Sequence, residues 1–110
     1  RVRHMIEAAE AIAEFVAGRE RSSLDSDRML LFAVVRAIEI IGEAASQITD
    51  ETRAATPEIS WRAIVGMRNR IVHAYWDIDC DIVWKTAVEE IPALLTILRA
   101  AVEREENEAT

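Results

Sequence analysis

The stretch from Asp27 to Ile48 reads DRMLLFAVVRAIEIIGEAASQI, and this stretch decides the fold. Its apolar residues recur so densely that they cover most of the circumference of one long helix. Arg36, Glu39 and Glu43 follow one another at spacings of three and four residues, so they form a narrow polar stripe on that helix. A helix that is apolar on nearly all sides must be covered on more than one of them.

Two arrangements of this helix satisfy that requirement. It is either the central core helix of its own domain, or one of its faces packs against another copy of the protein. Small residues favour the second arrangement, because Gly42, Ala44 and Ala45 permit the close approach of a neighbouring helix. Both arrangements stay open on sequence grounds.

The rest of the chain is also helical in its periodicity. A first helix around Met5 to Val16 ends before Gly18, and Asp25 or Ser26 is predicted to cap the long helix. Further helices are predicted from Thr49 or Asp50 to Ala55, from Ser60 through Val72, and from Ile82 to Val102, with Pro92 either kinking the last one or beginning a new helix. No strand pattern is found, and residues 77–81 are turn-like. We predict one all-α domain over residues 1–110, an antiparallel bundle of about four to five helices with a frayed acidic tail at 103–110.

Composition excludes several classes of protein. The chain has 110 residues and a formal net charge of -7, which argues against a generally basic nucleic-acid binder but not against a small basic site. Cys80 is the single cysteine, so no internal disulfide or cysteine-rich zinc site is possible, and a reducing, cytoplasmic location is expected. No apolar run approaches ~20 residues, so no membrane span is expected, nor is a signal peptide. Because the chain begins with Arg1, a few residues are expected upstream.

Charge is distributed unevenly along this acidic chain. Residues 60–76 contain three arginines and no acidic residue. One explanation is that these arginines pair with acidic residues elsewhere in the fold. The other is that the segment binds a phosphate group.

The order of residues in this segment favours phosphate chemistry. On a helix, Asn69 and His73 share a face, and so do Arg68 and Tyr75, whereas Arg68 and His73 lie about 140° apart. Arg68 and His73 therefore converge only if the helix ends between them or if a second chain supplies one of them. Arginine matches phosphate oxygens and histidine moves protons near neutral pH, while no carboxylate in the segment could hold Mg²⁺. This combination favours metal-free RNA cleavage with the 2′-OH as nucleophile, although His73 could be a core or capping residue and Tyr75 a boundary residue.

Several blocks of the sequence resemble one known family. Residues 68–75 match an R-x-x-x-x-H-x-Y motif, residues 66–69 read GMRN, and residues 36–44 read RAIEIIGEA. The segment 57–62 before the motif and the segment 79–92 after it also agree, although Ser60 stands where the family often has proline and the later segment is slightly shifted. In this order the blocks resemble the HepT-like toxins of the HEPN ribonuclease superfamily.

The resemblance implies an HEPN-type helix bundle that forms a homodimer, with motif residues of both protomers lining one cleft. It implies a toxin of a type VII-like toxin–antitoxin pair that acts as a metal-independent endoribonuclease without a cofactor. Arg68 and His73 would be catalytic, with Asn69 and Arg70 in support. Arg36, Glu39 and Glu43 would reach the same cleft, or would form a solvated, ion-paired stripe.

The resemblance also implies a protein partner. This partner is an MntA-type nucleotidyltransferase antitoxin, which would transfer AMP from ATP to Tyr75 and thereby block the phosphate site. Two alternatives remain: a non-catalytic, nucleotide- or partner-binding helical subunit of a nucleotidyltransferase complex, and a plain helical dimer without chemistry.

Overall fold

The computed structural model describes residues 1–74 and 77–109, and the long apolar helix predicted from the sequence lies at its centre. This helix, α3, spans Arg28–Ser46. Its fully buried residues include Val34, Ile38 and Ile41, which belong to the hydrophobic core. Asp27 caps α3, because its carboxylate accepts a hydrogen bond from the Leu30 N–H at 3.1 Å. The predicted caps Asp25 and Ser26 are wrong, because both belong to a separate short helix, α2, at Ser23–Ser26.

Two further long helices complete the bundle, and the first of them packs against both α3 and the last helix. This first helix, α1, spans Val2–Val16, and the last helix, α8, spans Ile91–Ala109. Ion pairs join Arg3 to Glu106 and Arg99 to Glu10, so α1 and α8 run in opposite directions. The prediction of an all-α, antiparallel bundle is confirmed.

The C-terminal helical stretch contains an irregular turn just before Pro92. Helix α7 spans Cys80–Lys85, a π-helical turn spans Thr86–Glu90, and α8 follows without a break. Pro92, which has no N–H to donate, follows the π-helical turn inside this continuous helical stretch, so the regular hydrogen-bond ladder is interrupted where the proline stands. The predicted beginning of a new helix at Pro92 is wrong, because the chain stays helical from residue 80 to 109; the irregular turn next to Pro92 is the disturbance that the structure shows in its place. The helix continues to Ala109, and fraying of residues 103–110 stays a prediction.

The small residues of α3 serve contacts within the chain. Gly42 and Ala45 are buried, and a Cβ atom added at Gly42 would lie 3.6 Å from the carbonyl oxygens of both Ile64 and Val65. The glycine thus lets the backbone of a short helix approach α3 closely. The expectation that Gly42 and Ala45 face another copy is wrong, because their own chain covers them; Ala44 is half-buried. Helix α4 at Asp50–Ala55 is capped by Thr49, as predicted.

The segment after α4 departs most from prediction. In place of one helix from Ser60 through Val72, the chain forms α5 at Trp61–Val65, α6 at Met67–Ile71 and a strand, β1, at Val72–Ala74. A second strand, β2, spans Asp77–Ile78 and pairs antiparallel with β1, Val72 opposite Ile78. The Asp79 N–H donates to the Ile71 carbonyl at 2.8 Å and closes this ribbon. The β-branched Val72 adopts extended backbone angles, which suit such residues better than a helix does.

Within residues 1–74 and 77–109, no helix is long and apolar enough to cross a membrane.

Candidate active site

Arg68 contacts the polar stripe of α3. Its Nε lies 3.5 Å from Oε2 of Glu39, and the same carboxylate oxygen lies 3.9 Å from Nη1 of Arg36. The Glu39 side chain is 26% exposed and Arg68 is 46% exposed, so the pair is only partly shielded from solvent. Glu39 thus holds an arginine of the basic segment against the long helix.

Glu43 belongs to the same polar stripe of α3 and pairs with Arg36. Its Oε1 lies 3.4 Å from Nη1 of Arg36, and both side chains are largely exposed. The sequence left open whether Glu39 and Glu43 reach the motif or form an ion-paired stripe. Both form ion pairs with Arg36, whereas the ion pair with Arg68 is made by Glu39.

A hollow of about 300 Å³ opens beside Arg68. It lies between α3, α6 and the two-stranded ribbon, and most of its lining is apolar. The lining residues are Phe32, Val35, Glu39, Arg68, Val72 and Ile78. An anion that entered this hollow would meet the Arg68 guanidinium, which presents several donors in a fixed fork.

Arg70 and Asn69 are not brought to this hollow. Nη1 of Arg70 lies 3.9 Å from Oε1 of Glu90 in the π-helical turn, so Arg70 faces the C-terminal helices. Arg70 therefore fits the first explanation of the basic segment, in which its arginines pair with acidic residues elsewhere in the fold. Asn69 is exposed on α6, and its backbone N–H donates to the Gly66 carbonyl at 3.1 Å.

The helix ends between Arg68 and His73. Helix α6 stops at Ile71 and the chain is extended from Val72, which meets the condition for Arg68 and His73 to converge within one chain. The predicted helical faces shared by Asn69 with His73 and by Arg68 with Tyr75 are wrong for the same reason. The His73 side chain and the whole of Tyr75 lie outside the described residues, so their predicted roles stay predictions.

Sequence reasoning missed Arg21, which lies just before α2 and makes hydrogen bonds to both α2 and α7. Its Nε donates to Oδ1 of Asp81 at 2.6 Å and its Nη1 donates to Oδ2 of Asp25 at 3.1 Å. These hydrogen bonds, first the one to Asp81, raise the pKa of Arg21 above its ordinary value. Arg21 thereby joins α2 to the first turn of α7, which follows β2 directly. No sequence signal links residues 60 positions apart in this way.

Two features of the described residues bear on other kinds of chemistry. No group of three or more His, Cys, Asp and Glu residues among them is arranged to hold a metal ion. Burial raises the pKa of the Cys80 thiol, which keeps it in the protonated, weakly nucleophilic form.

Comparison with known proteins identifies the family. The family described as "Ribonuclease HepT-like" matches residues 5–101. A protein of Thermococcus cleftensis named "probable ribonuclease HepT" is 42% identical over 88 residues, which cover 80% of each chain. A "putative RNase" of Methanocaldococcus jannaschii is 34% identical over 90 residues, covering 82% of this chain and 83% of its own.

A third relative covers more of the chain. It is a protein of Caldanaerobacter subterraneus that is also named a "putative RNase". It is 32% identical over 102 residues, which cover 93% of this chain and 91% of its own. No solved structure matches the chain significantly. The matched region contains α3, both short helices α5 and α6, and the ribbon, so the family prediction is confirmed and the chain belongs to the HepT-like ribonuclease family.

Proposed function

We propose that the chain is a metal-independent endoribonuclease and the toxin of a type VII-like toxin–antitoxin pair. The observation that carries this proposal is the position of Arg68, which Glu39 holds at the wall of an open hollow, five residues before His73. Membership of the HepT-like family and relatives named as ribonucleases support RNA as the substrate. The same proposal places the protein in the cytoplasm.

In the proposed reaction, His73 and Arg68 share the chemistry. His73 takes the proton of the ribose 2′-OH, whose oxygen then forms a bond to phosphorus while the bond from phosphorus to the 5′-oxygen breaks. Arg68 pairs with the phosphate oxygens and stabilises the charge that develops on them. The leaving 5′-oxygen takes a proton from water, the hydroxide so formed takes the proton held by His73, and the products are a 2′,3′-cyclic phosphate and a 5′-OH. Asn69 and Arg70 would act in support from outside the hollow, since Arg70 lies nearly opposite Arg68 around α6 and pairs with Glu90.

A second copy of the chain would complete the site. Met29, Arg36 and Ile40 lie along one line of α3, and Met29 is 83% exposed. Met29 lies in the first turn of α3, and an apolar side chain this exposed on a largely buried helix favours coverage by another chain. A homodimer formed along this line would bring two Arg68 side chains to one cleft, with Glu39 at its edge. Sedimentation equilibrium tests the dimer, and a monomer at micromolar concentration contradicts it.

The proposed antitoxin acts on Tyr75. An MntA-type nucleotidyltransferase would transfer AMP from ATP to the Tyr75 hydroxyl and release pyrophosphate. The added phosphate carries negative charge two residues after His73, where it would compete with RNA for Arg68. Mass spectrometry after incubation with the antitoxin and ATP should find one AMP on the peptide that contains Tyr75, and an unmodified peptide would contradict this part of the proposal.

The central test replaces one histidine at a time. The chain has two histidines, and His4 lies exposed on α1, so His4→Ala is a matched control for His73→Ala. With EDTA present, we expect His73→Ala to lose RNA cleavage by at least ~100-fold while His4→Ala cleaves like the unchanged protein. Equal cleavage by both variants would overturn the mechanism. Tight nucleotide binding without cleavage by the unchanged protein would support the alternative, a non-catalytic binding subunit.

A further inference from the structure

Phe32 is an aromatic residue that the proposed reaction leaves without a role. It is 55% exposed although it stands on the central helix, whose other face forms the core. It lines the hollow beside Arg68, together with Val35, Val72 and Ile78. An exposed ring next to a cation and an open apolar wall is the arrangement by which proteins hold single-stranded RNA.

We propose that this hollow is a nucleobase subsite, in which one base of the RNA strand stacks on Phe32 while the adjoining phosphate pairs with Arg68. This inference rests on the proposed function, because it takes RNA as the substrate. It adds a substrate-positioning residue outside the motif, and it explains how a chain of net charge -7 holds a polyanion with few cations. Stacking on a ring face is independent of charge and accepts every base.

The dimensions and lining of the hollow fit a base. Its volume of about 300 Å³ lies at the lower end of the range of ~300–1,000 Å³ found for small-molecule sites. Four of its six lining residues are apolar, and the two charged ones, Glu39 and Arg68, form an ion pair with each other. A base and its own phosphate belong to one nucleotide, as Phe32 of α3 and Arg68 of α6 line one hollow.

The position of Phe32 on α3 favours a base over a second copy of the chain as its occupant. Phe32 and Glu39 are seven residues apart and share the side of the helix that faces Arg68. Met29 and Ile40 lie further round the helix, on the line proposed for the dimer. Phe32 therefore stands at the edge of that line, where a cleft between two copies would remain open to a strand.

Fluorescence of 2-aminopurine, which falls when the base stacks, tests the subsite. The probe is a short single-stranded RNA that carries this base, bound to the His73→Ala protein so that it stays uncleaved. We expect Phe32→Leu, which keeps an apolar side chain but removes the ring, to abolish the quenching and weaken binding by roughly 5- to 150-fold. Phe32→Trp should retain both. Phe15→Leu is the control, because Phe15 is exposed on α1 and does not line the hollow.

Each other result overturns the subsite. Unchanged binding and quenching by Phe32→Leu would show that no base stacks there. Loss of the dimer by Phe32→Leu in sedimentation would make Phe32 a contact between copies instead. The outcome is separate from that of the proposed function: loss of cleavage by His73→Ala beside unchanged binding by Phe32→Leu would leave the enzyme standing and remove the subsite alone.

Discussion

The helix α3 and the segment from Trp61 to Ile78 have opposite characters. Helix α3 is one regular helix of 19 residues, and the core of the bundle forms around it. The later segment changes conformation repeatedly, with two helices of five residues each and two short strands. Helices that short are not stable by themselves in water. Helix α3 and the core around it therefore form a stable frame. The basic segment, which bears the motif, depends on contacts with this frame for its position.

Specific contacts hold the short elements in place. The Trp61 indole N–H donates to the Thr56 hydroxyl oxygen at 3.0 Å in a buried hydrogen bond, and Ile71 is fully buried at the other end of the segment. Between them, Gly42 lets α5 lie against α3, and Glu39 pairs with Arg68. Helices α5 and α6 are thus held at both ends and at two points between them.

The largest effect is expected from damage to the frame. Ile38 is fully buried in the middle of α3, so Ile38→Ala removes core contacts and leaves a cavity. We expect it to lower the free energy of unfolding by about 2–5 kcal/mol, measured by urea denaturation. Ile82→Ala on α7 is the matched control, because Ile82 is exposed and lies outside the line proposed for the dimer, and it should change stability by less than ~0.5 kcal/mol. Similar losses in both variants would show that α3 is not the frame.

A smaller loss is expected when the anchor of the short helices is removed. Thr56→Val keeps the shape of the side chain but leaves the buried Trp61 N–H without its acceptor. The free energy of unfolding should fall by about 1–3 kcal/mol. Thr96→Val is the matched control, because the exposed Thr96 hydroxyl donates to the Pro92 carbonyl on the surface of α8. Equal denaturation midpoints for Thr56→Val and the unchanged protein would contradict this role of the anchor.

The long helices could be predicted from the sequence, whereas the short elements of residues 61–78 could not. Apolar residues at helical spacing place α1, α3 and α8, because burial of one face decides those helices. Residues 61–72 carry the same spacing in Trp61, Ile64, Met67 and Ile71, yet the helix breaks at Gly66 and ends at Ile71. The helix ends there because Val72 pairs with Ile78 and the Asp79 N–H donates to the Ile71 carbonyl. These contacts join residues that are distant in sequence, so the spacing of apolar residues does not predict them.

The same distinction applies to the candidate site. Arg68 and His73 could be selected from residue chemistry and from the family resemblance, because they lie in one short block. The pairing of Arg68 with Glu39 joins residues 29 positions apart, and the sequence left open whether Glu39 and Glu43 reach the cleft or form a solvated, ion-paired stripe. The sequence did not single out Phe32, because it is one of many apolar residues of α3 and only the folded chain shows that it is exposed beside the hollow.

Glu39→Gln tests whether the frame positions the chemistry. The amide keeps the size of the side chain but loses the charge that pairs with Arg68, so the guanidinium is no longer fixed near the phosphate site. We expect kcat for RNA cleavage to fall about tenfold, equivalent to about 1.4 kcal/mol, with little change in KM or in stability. Glu43→Gln is the control, because Glu43 pairs with Arg36, and its kcat should stay within about twofold. Faster cleavage by Glu39→Gln would mean that Glu39 occupies Arg68 instead of positioning it.

The smallest effect is expected at the start of α3, where the frame is exposed to solvent. The hydrogen bond from the Leu30 N–H, and then the pairing with Arg19, lower the pKa of Asp27 below its ordinary value of 3.8. The folded state therefore binds the proton of Asp27 less readily than the unfolded state does. At pH values above 3.8, the ordinary pKa, the charge of Asp27 stabilises the folded state. This stabilisation is lost as the pH falls through the lowered pKa of the folded state.

Asp27→Asn separates the charge from the cap. Asparagine caps helices about as well as aspartate does, so the variant keeps an oxygen for the Leu30 N–H and loses only the titrating group. At about pH 7 we expect the variant to unfold at a slightly lower urea concentration than the unchanged protein, and at about pH 2.5 the two midpoints should approach each other. A gap of equal size at both pH values would assign the effect to the cap geometry of α3 and not to the charge of Asp27.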